Sequence, residues 1–121
     1  MRRLIQVGPA VAYAGLIFFL SSQSSFPVPP GIWDFDKVLH CIEYAGLAFL
    51  IARALVSLDV TAAAAVSAIL ATVYGATDEL HQYFVPGRSC DVRDWIADAA
   101  GAAVGAFAFH SLRQWRVKRV T

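Results

Sequence analysis

Four stretches of mainly apolar residues, each long enough to cross a membrane, dominate this sequence. A helix needs about 20 such residues to span a hydrocarbon core of ~30 Å. The apolar residues do not alternate with polar ones at every second position, which argues against membrane-spanning strands. The sequence therefore predicts an all-α fold, a four-helix transmembrane bundle that forms a single domain over residues 1–121. The predicted helices cover about residues 4–20, 37–58, 61–85 and 92–112.

The composition agrees with this prediction. Hydrophobic residues make up 58% of the chain and charged residues 16%, whereas soluble domains average roughly 45–50% and about 25%. The net charge is only +1, so the chain lacks the basic field of a nucleic-acid-binding domain. We expect the lipid bilayer as a partner and no nucleic acid. The first stretch also resembles a signal peptide, but Ser21-Ser22-Gln23-Ser24 offers no clear cleavage site after it.

Basic residues are distributed unevenly between the two ends of the predicted bundle. Seven of the ten Lys and Arg residues fall at the N-terminus, near the turn after the second helix, or in the C-terminal tail, where Asp59 is the only acid. The other end carries eight of the nine acidic residues. Because cytoplasmic loops of membrane proteins are rich in Lys and Arg, this asymmetry predicts that both termini are cytoplasmic.

The predicted turns contain helix-capping and helix-breaking residues. Thr61 is a candidate N-cap of the third helix, and Asp91 is a candidate N-cap of the fourth. The connection after the first helix contains Pro27, Pro29 and Pro30, which cannot continue a helix. We expect that connection to be an extended segment on the outer surface.

Polar side chains within the predicted helices gather at the acidic end. A charged group costs about 2.5–3.5 kcal/mol at the centre of a membrane helix even on the mildest scale, so such a cluster needs an explanation. Within each helix the spacings are mostly three or four residues, which places them on a shared face. We predict one outward-facing pocket, lined by Lys37, His40, Glu43, Asp78, Glu79, His81, Gln82, Arg88, Asp94 and Asp98.

Several chemistries fit these residue types, and no reaction is assigned. Glu43, Asp78 and His81 are candidates for general acid–base catalysis. His40 with Glu43, and Asp78 with His81, are carboxylate–imidazole pairs three residues apart, so these four residues are also candidate ligands of a divalent metal. The simpler interpretation is that residues such as Lys37 only reach the lipid headgroups and that His40 is a packing residue.

Small residues and cysteines point to packing rather than chemistry. Gly101 and Gly105 lie four residues apart, a spacing that lets helix backbones approach closely in lipid. Cys41 and Cys90 both fall near the acidic end, where an oxidising compartment would permit a disulfide. We expect both to be free.

The polar motifs resemble those of the VanZ-like family over nearly the whole chain. The matching motifs are Asp36-Lys37-x-x-His40-x-x-x-Tyr44, Tyr74-Gly75-x-x-Asp78-Glu79-x-His81-Gln82-x-Phe84-x-Pro86-Gly87-Arg88, and Asp91-x-x-Asp94-x-x-x-Asp98-x-x-Gly101. The resemblance implies a small multi-pass protein of the bacterial cytoplasmic membrane. The founding member of the family is associated with low-level resistance to the glycopeptide teicoplanin. Where the family pattern has asparagine, this chain has Asp98.

Three functions remain open on the sequence. The first is a protein of the cell envelope whose pocket binds the polar head of an amphiphile, such as a lipid-linked wall precursor, a lipid or a teicoplanin-type glycopeptide. Arg88 would bind a phosphate or carboxylate of that head through two parallel hydrogen bonds. The second is a hydrolase or transferase acting on a lipid headgroup. The third is a small proton-coupled transporter, in which buried acids relay protons.

Overall fold

The computed structural model describes residues 1–23 and 35–121, and in these residues it contains four α-helices and no strand. The helices are α1 (Arg2–Ser21), α2 (Phe35–Ser57), α3 (Ala63–Tyr83) and α4 (Val92–Val120). The prediction of an all-α fold is confirmed. The proline-rich connection lies outside the described residues.

The helix ends differ from the prediction at two places. Helix α4 continues from 112 to Val120, because residues 113–120 are mostly good helix formers and include neither glycine nor proline. The prediction that Thr61 caps α3 is wrong, since Ala62 occupies the N-cap position in a left-handed conformation and makes no side-chain cap hydrogen bond. The prediction for Asp91 is confirmed, because its Oδ1 accepts a hydrogen bond from the Arg93 backbone N–H at 2.9 Å.

Helix α2 lies at the centre of the fold and packs against the other three helices. Its closest neighbour is α4, and glycines explain the close approach. A Cβ atom at Gly101 would collide with the backbone of Cys41, and one at Gly105 would collide with the backbone of Ala45. The predicted role of these two glycines in close helix packing is therefore confirmed.

Many large apolar side chains are exposed, and several charged and polar side chains are buried. All four helices expose large apolar side chains, including Phe19 on α1, Ile42 on α2, Leu80 on α3 and Phe107 on α4. The buried positions include Asp, Glu, His, Gln and Ser side chains, residue types that are rarely buried in soluble domains unless they are paired. Exposed apolar side chains on all four helices are expected of a protein that contacts lipid.

Two helices in the described part of the chain are long and apolar enough to cross a membrane, namely α1 and α2. Helices α3 and α4 are also long, but each contains acidic residues near the end where the polar side chains gather: Asp78 and Glu79 on α3, and Asp94 and Asp98 on α4. Those residues lower the mean hydropathy of the two helices. They are also the residues that form the site described next.

Candidate functional site

A pocket opens at the end of the bundle where α1 and α3 end and α2 and α4 begin. Its volume is about 420 Å³. We call it the polar-end pocket. Its wall combines apolar side chains of α1 and α2, including Ile17, Leu20 and Leu39, with polar side chains from α2, α3, α4 and the turn between α3 and α4. Six of the predicted residues line it: His40, Glu43, Asp78, Gln82, Arg88 and Asp94.

Lys37 lies beside the pocket and is held by three carboxylates. Its Nζ lies 2.6 Å from Asp94 Oδ1, 2.7 Å from Asp36 Oδ2 and 3.3 Å from Asp91 Oδ2. The side chain of Lys37 is half-buried, and that of Asp94 is buried. Because Lys37 contacts these three acids at the starts of α2 and α4, its positive charge is not available to the deeper carboxylates.

His40 and Asp98 form a buried pair between α2 and α4. His40 Nδ1 lies 2.7 Å from Asp98 Oδ1, and in the tautomer that carries a proton on Nδ1 the imidazole donates this hydrogen bond. Asp98 is fully buried. His40 Nε2 lies 3.9 Å from Asp94 Oδ2. The pair fixes the orientation of the imidazole, and the imidazole forms part of the pocket wall.

Glu79, on α3, lies beside the pair formed by His40 and Asp98. Its Oε2 accepts a hydrogen bond from the Asp91 backbone N–H at 3.2 Å, and its Oε1 is buried with no hydrogen bond. One ligand atom from each of His40, Glu79 and Asp98 lies within 4.8 Å of the others. This set differs from the predicted metal ligands, which combined His40 with Glu43, Asp78 and His81. Among the residues that the structure describes, only His40 belongs to both sets.

Asp78 faces α1 and α2 rather than Glu79, because adjacent residues on a helix point about 100° apart. The hydroxyl groups of Ser21 and Tyr44 lie next to its carboxylate, and all three side chains are buried. Gly75 makes room for this arrangement, since a Cβ atom there would lie 3.0 Å from Asp98 Oδ2 and 3.2 Å from Tyr44 Cε1.

His81 lies against the end of α1 and is not part of the pocket wall. Its Nε2 is 3.0 Å from Ser22 Oγ, and its ring stacks on Phe18 with a centroid distance of 4.4 Å. These contacts explain the position of the ring by helix packing. Glu43 does line the pocket, and its carboxylate makes no hydrogen bond or ion pair with the rest of the described chain.

Arg88 lies in the turn after α3 and lines the pocket from that side. Within residues 1–23 and 35–121, no carboxylate lies within 4.0 Å of its guanidinium group. Glu43 is close enough to interact with it electrostatically. Arg88 is therefore a half-buried cation on the pocket wall. Its guanidinium group forms no ion pair with an acid of the described residues.

Comparison with known protein families identifies the chain. The model of the VanZ/LLP1 family matches residues 6–113, which includes all ten residues of the predicted site. The chain belongs to the VanZ/LLP1 family. No curated protein and no solved structure matches it.

In this VanZ/LLP1 protein, several polar residues of the site are not among the ten predicted ones: Ser21, Asp36 and Ser89 line the pocket, and Tyr44 lies beside Asp78. The sequence places Ser21 and Tyr44 at the polar end of the bundle, but neither is among the predicted lining residues. The available signal was their position, because Ser21 ends the first apolar stretch and Tyr44 lies one turn after His40 on the same face. The cysteines of the VanZ/LLP1 chain are both free thiols.

Asp91 precedes α4 and its side chain is partly exposed. Hydrogen bonds from the Arg93 backbone N–H and the Arg93 side chain lower the pKa of its carboxyl to about 2, and Lys37 contributes in the same direction. The carboxylate is therefore charged at neutral pH, when it caps α4 and contacts Lys37.

Proposed function

We propose that this VanZ/LLP1 protein crosses the bacterial cytoplasmic membrane four times, with both termini in the cytoplasm, and that its polar-end pocket faces outward and binds the anionic head of an amphiphile. The single observation that carries the proposal is Arg88, a cation on the pocket wall that pairs with no described acid. The head would belong to a lipid, a lipid-linked wall precursor or a teicoplanin-type glycopeptide.

Burial and charge support four membrane crossings. The outward-facing surfaces of α3 and α4 carry Ile69, Val73, Ile96 and Val104, so these helices have an apolar face toward the surroundings although their acidic residues lower their mean hydropathy. Their acidic residues face the bundle interior, where charged residues of membrane helices are normally found. The basic C-terminal part of α4 lies at the opposite end of the bundle, as expected for a cytoplasmic end.

The shape of the pocket supports an amphiphile as ligand. A volume of about 420 Å³ is within the range of roughly 300–1,000 Å³ that is usual for small-molecule sites. Ile17, Leu20 and Leu39 form an apolar wall close to the polar groups. A ligand with a charged head and an apolar chain could contact both kinds of surface at once, while a purely polar solute would leave the apolar wall without a partner.

Arg88 is suited to the charged part of such a ligand. The planar guanidinium group can donate two parallel hydrogen bonds to a phosphate or carboxylate. Each hydrogen bond to a charged group contributes roughly 1.5–3 kcal/mol, and about 1.4 kcal/mol corresponds to a tenfold change in affinity. Loss of the guanidinium is therefore expected to weaken binding about 10- to 100-fold.

The test compares two arginines near the same end of the fold. Purified protein in mild detergent is titrated with a polyprenyl phosphate, phosphatidylglycerol and phosphatidylcholine, and bound lipid is measured by native mass spectrometry. We expect Arg88→Gln to weaken binding of the two anionic lipids, and Arg88→Lys to weaken it less. Arg93→Gln is the control, because Arg93 is an exposed residue beside Asp91 and does not line the pocket. Equal losses in both variants, or none in either, would contradict the proposal.

The same proposal leads to a prediction about glycopeptide resistance, which the family resemblance suggested. If the pocket binds a teicoplanin-type glycopeptide or its lipid-linked target, expression of the protein in a susceptible strain raises the concentration of teicoplanin needed to stop growth. Arg88→Gln is then expected to abolish the increase while Arg93→Gln retains it. Resistance that is unchanged in the Arg88→Gln variant would separate the phenotype from this pocket.

A headgroup-modifying enzyme is the second candidate, favoured by the His40–Asp98 hydrogen bond. An aspartate that holds Nδ1 of a histidine leaves Nε2 available for proton transfer, as in hydrolases that orient their catalytic imidazole in this way. Incubation with the same anionic lipids distinguishes the two functions. An enzyme releases a water-soluble headgroup product that is lost in His40→Gln, whereas a binding protein returns every lipid intact.

A further inference from the structure

We infer that His40, Glu79 and Asp98 form a binding site for a divalent transition-metal ion beneath the polar-end pocket. The site does not depend on the headgroup proposal, since Arg88 and the apolar wall take no part in it. The three residues come from α2, α3 and α4, so a bound ion would also tie these helices together.

The positions of the ligand atoms carry the inference. One nitrogen or oxygen atom from each side chain lies within 4.8 Å of the other two. An ion bound at about 2.0–2.2 Å from each ligand atom would place any two of them at most about 4.4 Å apart. In a tetrahedral site the ligand atoms lie about 3.4 Å apart. The widest spacing must therefore close by at most about 1.4 Å, while the 2.7 Å contact between His40 Nδ1 and Asp98 Oδ1 must open slightly.

Unsatisfied buried oxygens give an independent reason to expect a cation. Glu79 is 4% exposed and Asp98 is 0% exposed, yet Oε1 of Glu79 and Oδ2 of Asp98 have no hydrogen-bond partner in the described part of the chain. Buried charges in proteins are normally paired or bound to metals. A carboxylate oxygen that is buried beside another carboxylate and lacks a donor is a ready ligand for a divalent ion.

The charges of the neighbouring groups point the same way. Lys37 is already bound to Asp94, Asp36 and Asp91, so it does not neutralise the deeper pair. A divalent ion would balance the charges of Glu79 and Asp98, with His40 neutral. The alternative is neutralisation by protons, on the carboxyl groups or on the His40 imidazole beside Asp98, and a metal analysis distinguishes an ion from protons.

The surroundings of His40 resemble the outer shell of a metal site. If the ion binds Nδ1, the 2.7 Å contact between Nδ1 and Asp98 Oδ1 opens to admit it, and the imidazole carries its proton on Nε2. That nitrogen faces Asp94 Oδ2 at 3.9 Å, and Lys37 holds the other oxygen of Asp94. Metal-bound histidines commonly donate their second N–H to a carboxylate, which fixes the ring orientation.

The ligand set favours a transition metal over calcium or magnesium. Imidazole suits zinc, iron and similar ions, while calcium and magnesium prefer oxygen ligands alone. Three protein ligands leave at least one coordination position open on a zinc ion. Because His40 also lines the pocket, that position is expected to be reachable from it by water or by an anionic group.

Metal analysis of the whole chain is the direct test. Protein purified in mild detergent is stripped with EDTA, titrated with Zn²⁺ or Co²⁺, and analysed for bound metal and for the visible absorption of bound Co²⁺. We expect about one ion per chain, and a higher thermal unfolding midpoint in its presence because ligand binding stabilises the folded state. Wild-type protein that binds neither ion overturns the inference.

Neighbouring acids provide matched variants. Loss of a group that only supports a metal ligand typically weakens metal binding about 10- to 100-fold. Because Glu79 and Asp98 are themselves ligands, Glu79→Gln and Asp98→Asn are expected to weaken Zn²⁺ binding by more than that. Asp78→Asn is the control, because Asp78 is equally buried and adjacent in sequence but faces Ser21 and Tyr44. If Glu79→Gln does not fold, Glu79→Asp keeps a carboxylate and should retain the Co²⁺ absorption. Equal metal loss in Asp78→Asn and Glu79→Gln, with both variants folded, would contradict the assignment.

Discussion

Replacing Gly101 by alanine tests the close contact between α2 and α4, on which the geometry of the site depends. A Cβ atom at position 101 would overlap the carbonyl oxygen of Cys41, the residue that follows His40. Because the overlap is with backbone, side-chain rotation cannot relieve it and the two helices must separate. Separation would lengthen the 2.7 Å contact between His40 Nδ1 and Asp98 Oδ1, since Asp98 lies one turn from Gly101.

The magnitude follows from a comparison with Gly15→Ala. A Cβ atom at Gly15 meets nothing within 4 Å. Both substitutions gain the same helix propensity, about 1 kcal/mol, so the difference between them reports packing. Overpacking typically costs about 1–3 kcal/mol and occasionally more. We therefore expect the Gly101→Ala protein to be less stable than the Gly15→Ala protein by at least that range.

The assay is reversible unfolding by SDS in mixed micelles, followed by circular dichroism. Gly15→Ala should unfold at the wild-type SDS fraction or above it, and Gly101→Ala clearly below it. Gly105→Ala should behave like Gly101→Ala, because its Cβ would overlap the backbone of Ala45. Equal unfolding midpoints for the variants at positions 15 and 101 would refute the close helix contact.

Three further predictions concern topology, pH and the two pocket-end histidines. A reporter fused after Thr121 is expected to be cytoplasmic, and one inserted between residues 27 and 31 to be outside; the opposite pattern would reverse the orientation. Asp91 has a folded-state pKa of about 2, below the usual value of about 3.9, so its stabilising effect is complete above about pH 4 and is lost as the pH falls toward 2. The thermal unfolding midpoint of wild-type protein should therefore fall more steeply across that pH interval than the midpoint of Asp91→Asn. Parallel pH dependence of the two midpoints would contradict the stabilising role of the Asp91 carboxylate. His81→Gln should retain lipid binding, because an amide still offers a donor and an acceptor to Ser22. His40→Gln should weaken lipid binding, because His40 lines the pocket. Lipid binding that is lost only in His81→Gln would contradict this assignment of the two histidines.

The helical fold was predictable because it depends on features that repeat along the chain. Apolar stretches and turn residues placed four helices, and the capping role of Asp91 follows from local hydrogen bonding. The end of α4 was not predictable from hydropathy, since residues 113–120 are mostly polar and still form helix. Ala62 was missed as the start of α3, because its left-handed backbone comes from the shape of the turn and not from its side chain.

The site was predictable as a set of residues but not as a set of pairs. Spacing along a helix indicates that His40 and Glu43 share a side of α2, but it does not say which helix lies opposite. That depends on the contact between α2 and α4, which directs His40 to Asp98. Whether Glu79 or Asp78 lies beside His40 and Asp98 depends on the rotation of α3 about its axis. Sequence periodicity does not determine that rotation when both neighbouring residues are acidic.

The most direct test of the proposed headgroup binding is a distance measurement between Arg88 and bound lipid phosphate. Protein labelled with ¹⁵N-arginine is reconstituted with a polyprenyl phosphate, and the ¹⁵N–³¹P dipolar coupling is measured by solid-state NMR. We expect a guanidinium nitrogen within about 4 Å of phosphorus, as hydrogen bonds of about 2.7–2.9 Å to phosphate oxygens require. The signal should disappear in Arg88→Lys. A coupling that persists in that variant, or no coupling in wild-type protein with lipid bound, would contradict the account.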